Sequence, residues 1–268
     1  MHFTRLFVPL QARKDKSMQV VYEDNHIIIV NKESGEIVQG DKTGDRPLSE
    51  IVKDYIKEKY QKPGAVFLGV VHRLDRPVSG LVVFARTSKA LTRLNKMFAE
   101  KDHIKKTYWA IVEREKGIVK SEKFLAVQAT RGRAATATES WHLQENWLVR
   151  NEQQNKSYAY DHEVPRSKKA QLRYRVLTQG DNYDLVEVEL LTGRHHQIRC
   201  QLSTIGRPIK GDLKYGAKRS NPDGSISLQS HRIEFVHPVS KETICIEAPI
   251  PNDPLWQALG KGKGNSEK

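Results

Sequence analysis

The sequence predicts an α+β domain built on a mixed, largely antiparallel sheet with flanking helices. Three observations predict it. Many short segments carry apolar residues in strand-like runs or alternation, only a few stretches have helical spacing, and the two kinds do not alternate regularly as a parallel βαβ chain requires. A chain of 268 residues with 38% hydrophobic content is long enough for a sizeable core, and no internal repeat divides it.

Taken in order, residues 19–31 read as a hairpin, with the turn-like Glu23-Asp24-Asn25-His26 before the apolar run Ile27 to Val30, and Lys32 ends the strand. Residues 47–59 place Leu48, Ile51, Val52, Tyr55 and Ile56 at helical spacing. Residues 65–71 and 81–85 are apolar and β-prone, and Pro77, Ser79 and Gly80 supply turn chemistry between them. Thr87 or Ser88 caps a second helix whose apolar positions are Ala90, Leu91, Leu94, Met97 and Phe98. A strand over 107–112 carries Tyr108.

The region 113–167 is polar and irregular, and reads as an insertion. It contains R-G-R-A-A-T-A-T at 131–138 and a Gln/Asn-rich stretch at 144–156. Strand periodicity returns at 170–177 and 184–191, and again at 227–236 and 242–248. Between them, the stretch after Gly193 reads as a helix ending at Gly206, with Pro208 beyond it and Ile198, Leu202 and Ile205 as its buried stripe. Residues 1–18 are expected to be a flexible leader and 259–268 a disordered basic tail, leaving a domain over 19–258.

The formal charge of +13 favours a polyanionic partner, since clustered Lys and Arg gain affinity by releasing counterions from phosphates. Two cysteines, Cys200 and Cys245, support neither a disulfide framework nor a cysteine zinc site and fit a reducing, cytoplasmic setting. The histidines lack the spacing of a metal site, so no metal is expected. No Gly-rich phosphate loop occurs, so neither ATP nor NAD is implied as a cofactor, and the apolar patch at 6–10 is too short to span a membrane.

The most informative segment is 71–86, V-H-R-L-D-R-P-V-S-G-L-V-V-F-A-R, which sets Asp75 between Arg73 and Arg76 in a turn between two apolar strands. A carboxylate held at a strand end among cations is a candidate nucleophile or general base. In the helix after Gly193, Arg199 falls at the margin of the buried stripe, with His195 about one turn earlier on the same side, so both can face a partly buried cleft. A half-buried guanidinium needs an anion, and Asp75 is the candidate.

This segment resembles the H-R-L-D-x-x-T-S-G signature of the RluA-type pseudouridine synthase family. Further similar strings follow in order, covering roughly residues 20–255: Y-E-D-N-H-I-I-I-V-N-K at 22–32, K-K-T-Y-W-A at 105–110, L-T-G-R-H-H-Q-I-R at 191–199 and G-R-P-I-K-G-D-x-x-Y-G at 206–216. Pro77-Val78 departs from the usual pair ending in Thr. The resemblance implies a bent sheet in two halves with a central cleft, and isomerisation of uridine to pseudouridine in ribosomal or transfer RNA without a cofactor.

It also assigns roles. Asp75 becomes the catalytic aspartate, Tyr108 the ring against the target base, and Arg199 the basic residue paired with the aspartate. Arg73 is the arginine that enters the space left by the extruded nucleotide, and Leu228 and His231 match a late L-x-x-H-like motif. Arg76, Arg194 and His195 complete the expected RNA contacts. Many family members carry an N-terminal S4 RNA-binding domain, which the space before Val20 does not hold, so RNA recognition is expected from the catalytic domain, acting as a monomer. Asp75 can attack the sugar or remove a sugar proton. The rival reading is a non-catalytic RNA-binding protein that keeps the fold. A carboxylate-dependent nuclease or glycosidase would need a partner acid that no motif supplies.

Overall fold

The computed structural model describes residues 18–41, 43–100, 103–114 and 140–260. Among the described residues, eleven strands form one sheet. They are β1 (Gln19–Glu23), β2 (Ile27–Lys32), β3 (Gly69–Val70), β4 (Ser79–Ala85), β5 (Ile104–Glu113), β6 (His142–Asn151), β7 (Lys156–Tyr160), β8 (Lys168–Gln179), β9 (Tyr183–Leu190), β10 (Leu228–Val236) and β11 (Thr243–Glu247). The spatial order is β1-β2-β4-β10-β5-β9-β8-β6-β7, with β3 on β4 and β11 on β10. Every pairing is antiparallel except β4 with β10. Four helices flank it: α1 (Leu48–Lys59), α2 (Ser88–Glu100), α3 (Gln197–Thr204) and α4 (Pro254–Gly260).

The apolar runs of β2 and β4 follow from burial on both faces. Ile28, Val30, Val82 and Phe84 join the core that includes Leu48, Val52 and Ile56 of α1, while Ile27, Ile29, Leu81, Val83 and Ala85 join Ala90 and Leu94 of α2 on the other face. Thr87 caps α2, its Oγ1 accepting the Ala90 N–H at 3.2 Å.

Strand β10 is the junction that positions the site. Its Gln229 and Ser230 pair with Ser79 and Gly80 of β4, and its residues from Arg232 onward pair with β11. Gly80 has φ +109°, and a Cβ there would lie 2.3 Å from the Ser230 carbonyl oxygen, so only glycine lets the end of the Asp75 turn approach β10.

The structure corrects several expectations. The Gln/Asn-rich stretch is the β6–β7 hairpin, not an irregular insertion; it escaped the periodicity reading because its buried face uses Asn146, which accepts a hydrogen bond from Gln201 at 3.0 Å. The R-G-R-A-A-T-A-T string lies outside the described residues, as do residues 1–17 and 261–268. Leu259 and Gly260, assigned to the tail, belong to α4, and Leu259 packs with Trp109 and Trp256. Of the apolar run 65–71, only Gly69 and Val70 pair with β4. Helix α3 begins at Gln197 rather than just after Gly193, because His196 takes φ +52° and starts the helix through its carbonyl, which accepts the Cys200 N–H at 2.9 Å. Among the described residues, no helix is long and apolar enough to cross a membrane.

Candidate active site

Asp75 opens a four-residue turn closed by the Val78 N–H donating to the Asp75 carbonyl at 3.0 Å. The Pro77-Val78 pair therefore leaves the turn intact. Beneath it lies Lys32, 1% exposed, which donates from Nζ to the carbonyls of Val78 (2.6 Å), Glu33 (2.9 Å) and Arg76 (3.2 Å). Burial pushes the Lys32 ammonium down to about 8, against the pull of Glu36 and Asp75. Lys32, read from sequence as a strand terminator, is the peg on which the turn is hung.

The Asp75 side chain, about a third exposed, faces α3. Arg199 donates from Nη1 to Asp75 Oδ2 at 3.0 Å, and its other edge is held from below by Asp212, with Nε to Oδ2 at 2.7 Å and Nη2 to Oδ1 at 2.9 Å. Burial works against the Arg199 charge, but the Asp212 and Asp75 carboxylates outweigh it and raise the guanidinium above its ordinary value. Asp212 is 1% exposed and lies in the G-R-P-I-K-G-D string, whose spacing contained the only signal for it.

His196, not His195, is the histidine at Asp75, with Nε2 3.4 Å from Oδ2. Desolvation and the neighbouring Arg199 push it down to about 2, so the ring is neutral. Its Nδ1 sits 3.0 Å from the Tyr215 hydroxyl, which already accepts the Ser157 N–H at 2.8 Å. The hydroxyl proton is then directed at Nδ1, leaving the N–H on Nε2 toward Asp75, a tautomer assigned from the network.

These residues border a cleft of about 410 Å³ whose floor includes Tyr108 and Leu228. Tyr108 is on the cleft face of β5, burial raises its hydroxyl to about 12, and Ser230 is its hydrogen-bond partner. Among the described residues, Asp75 is the sole acid on the cleft lining, against Arg73, Lys106, Arg150, Arg194 and Arg199. Such a lining holds a polyanion and offers it one carboxylate. Among the described residues no cluster of three His, Cys, Asp or Glu forms a cation site.

The other predicted contacts separate. Arg73 is exposed at the cleft rim, and Arg194 lines it while donating from Nε to the Lys169 carbonyl at 3.0 Å. Arg76 turns away from the cleft to Asp45 (2.6 Å) and Thr43 (2.8 Å), because it follows Asp75 in the turn and projects outward. His195 lines the cleft with Arg199, as expected, but it precedes α3 and its ring meets Ser157 and Asn155, both at 3.0 Å. His231, three residues after Leu228, falls by the alternation of the strand on the opposite face of the sheet, its ring stacked on Trp109 with centroids 3.6 Å apart. Arg150, on a hairpin sequence reasoning set aside as an insertion, was missed.

An α+β sheet with a cleft carboxylate held by an arginine among cations suits an enzyme that works on a polyanion. A family model described as RNA pseudouridylate synthase matches residues 26–204, and the chain belongs to that family, whose members are isomerases. It is 30% identical over 262 residues to "Uncharacterized RNA pseudouridine synthase YhcT" of Bacillus subtilis (strain 168), covering 93% of this chain and 76% of that one. It is 31% identical over 255 residues to "Ribosomal large subunit pseudouridine synthase D" of Nitrosomonas europaea, covering 90% of this chain and 65% of that one. In structure it matches "Human RNA Pseudouridylate Synthase Domain Containing 4" with a TM-score of 0.67 at 18% identity, covering 87% and 89% of the two chains, which supports the fold.

Proposed function

We propose that the protein isomerises uridine to pseudouridine in ribosomal RNA, with Asp75 as the catalytic residue, acting as a monomer in the cytoplasm. The observation that carries this reading is the Arg199–Asp75 contact of 3.0 Å in a cleft where Asp75 is the sole acid among the described lining residues. The choice of ribosomal over transfer RNA follows relatives such as the Nitrosomonas europaea protein, which is named for the ribosomal large subunit.

The cation-lined cleft receives a nucleotide flipped from its stack, a step costing a few kcal/mol. Tyr108 and Leu228 offer the base an aromatic and an apolar surface, and Arg73 at the rim is placed to fill the space the nucleotide leaves. Asp75 assists cleavage of the bond from C1′ to N1, by attack on the sugar or by removing a sugar proton. The freed uracil turns and bonds through C5, whose proton is lost while N1 gains one. Product and substrate contain the same atoms, so the chemistry calls for no cofactor.

The test is incubation of purified protein with a large-subunit ribosomal RNA transcript, followed by chemical mapping of pseudouridine. The wild type is expected to modify a defined position and Asp75→Asn to modify none while binding the same RNA. Activity retained by Asp75→Asn would remove that residue from its role. RNA binding without modification by the wild type would favour the non-catalytic reading.

A further inference from the structure

The β6–β7 hairpin shows one face to the cleft and another to solvent. Asn146, Leu148 and Arg150 alternate on the inner face; Asn146 and Leu148 are buried, and Arg150 reaches the cleft beside Asp75. On the outer face of β7, Lys156, Tyr158 and Tyr160 follow at the strand period, with Tyr158 38% and Tyr160 41% exposed. A groove of about 730 Å³ is lined by Arg150, the hairpin tip, these two rings and Arg166, with Glu152 the one acid among its described lining residues. The same arginine therefore borders both the cleft and the groove.

The hairpin is rigidly fixed. Ser157 Oγ donates to the His195 carbonyl at 2.8 Å, Asn155 Oδ1 meets His195 Nε2 at 3.0 Å, and Lys214 donates to the Asn155 carbonyl at 3.1 Å. Two tyrosines left in water on a braced strand, about 6.6 Å apart along it, are a platform for the faces of successive bases. Arg166 supplies a cation along the same groove, and Lys156 Nζ lies 5.4 Å from the Tyr158 ring centre.

We propose that the β6–β7 hairpin is the arm that holds the unpaired RNA flanking the target uridine, with Arg150 taking a backbone phosphate at the cleft mouth and Tyr158 and Tyr160 stacking the bases that follow. The inference rests on the RNA-modifying function proposed above and names the surface and the single-stranded character of its substrate.

The test uses the full chain carrying Asp75→Asn, so that nothing turns over, and a fluorescein-labelled oligouridylate as the probe. Tyr158→Ala and Tyr160→Ala are each expected to weaken binding about tenfold, while Tyr158→Phe and Tyr160→Phe, which keep the rings, bind as the parent does. Arg150→Ala is expected to lower the slope of log affinity against log salt by about 1. In the active chain the same alanine variants should raise KM on the ribosomal transcript with a smaller change in kcat. Unchanged affinity in both alanine variants, or equal loss in the phenylalanine variants, overturns the stacking arm. If the wild type forms no pseudouridine yet oligouridylate binding still depends on the two rings, the catalytic reading fails and the arm stands.

Discussion

Asp212 carries Arg199: two hydrogen bonds of 2.7 and 2.9 Å hold one edge of the guanidinium, and the remaining nitrogen meets Asp75 at 3.0 Å. The planar fork of arginine serves two carboxylates at once, which an ammonium point charge does not. Asp212→Asn keeps the size but loses one acceptor, leaving Arg199 free to swing from Asp75. Activity should fall about a hundredfold, and the thermal midpoint by several degrees, since a partner is removed from a buried charge. Arg199→Lys should lose activity comparably. Full activity in either variant, measured as pseudouridine formed per unit time, would show that Asp75 needs no such brace.

Lys32 gives a prediction with two readouts. In Lys32→Met the cost of a buried charge is relieved by about 3 kcal/mol, while three carbonyls lose a donor at about 1–3 kcal/mol each. The three losses together, about 3–9 kcal/mol, equal or exceed that relief, so stability should fall by up to about 6 kcal/mol while the Asp75 turn loosens and activity drops at least about tenfold. The sign of the pH effect is fixed by direction: the folded Lys32 titrates at about 8, below its unfolded value, so the native state binds the proton more weakly and wild-type stability rises from about pH 8 to about pH 10.5. Denaturant melts across that range should show the rise in wild type and its absence in Lys32→Met.

Gly80 tests how closely β4 must approach β10. With φ +109° and a Cβ position 2.3 Å from the Ser230 carbonyl oxygen, Gly80→Ala can be accommodated only by separating the strands that place Asp75 across from Tyr108. The expected cost is about 3 kcal/mol or more, seen as a large fall in the thermal midpoint. A midpoint equal to that of the wild type would mean that the parallel pairing is dispensable.

What could be read in advance follows from where each residue's partners lie. Helices α1 and α2 and strand β8 carry their burial in their own period, and β2 is an apolar run bounded by polar turns, so the sequence exposes them. The β6–β7 hairpin does not, because its inner face is part polar and its outer face part aromatic. The choice of histidine turned on where α3 begins, and a left-handed His196 leaves no cap residue to mark that start. Asp212 was hidden differently: it reaches Arg199 from a separate turn, and pairing across such a distance is a property of the fold.

His196 carries the last prediction. Desolvation and the cation of Arg199 push its folded value down to about 2, below its unfolded value of 6.5. A group depressed in the fold contributes stability that is full above the unfolded value and is lost as pH falls toward the folded one. Wild-type stability should therefore decline below about pH 6.5 by up to about 1.4 kcal/mol per pH unit from this ring alone. His72, pushed down by burial to about 3, adds to the decline in the same window, so the comparison must be with His196→Gln rather than with a flat line. The variant should show a slope shallower by up to that amount in denaturant melts between about pH 6 and about pH 4. Tyr215→Phe should keep most of the slope but lose activity, since it removes the hydroxyl that turns the Nε2 proton toward Asp75 while leaving the ring buried. Equal slopes in wild type and His196→Gln would show that this ring takes up its proton in the folded protein, and the neutral contact with Asp75 would then be wrong.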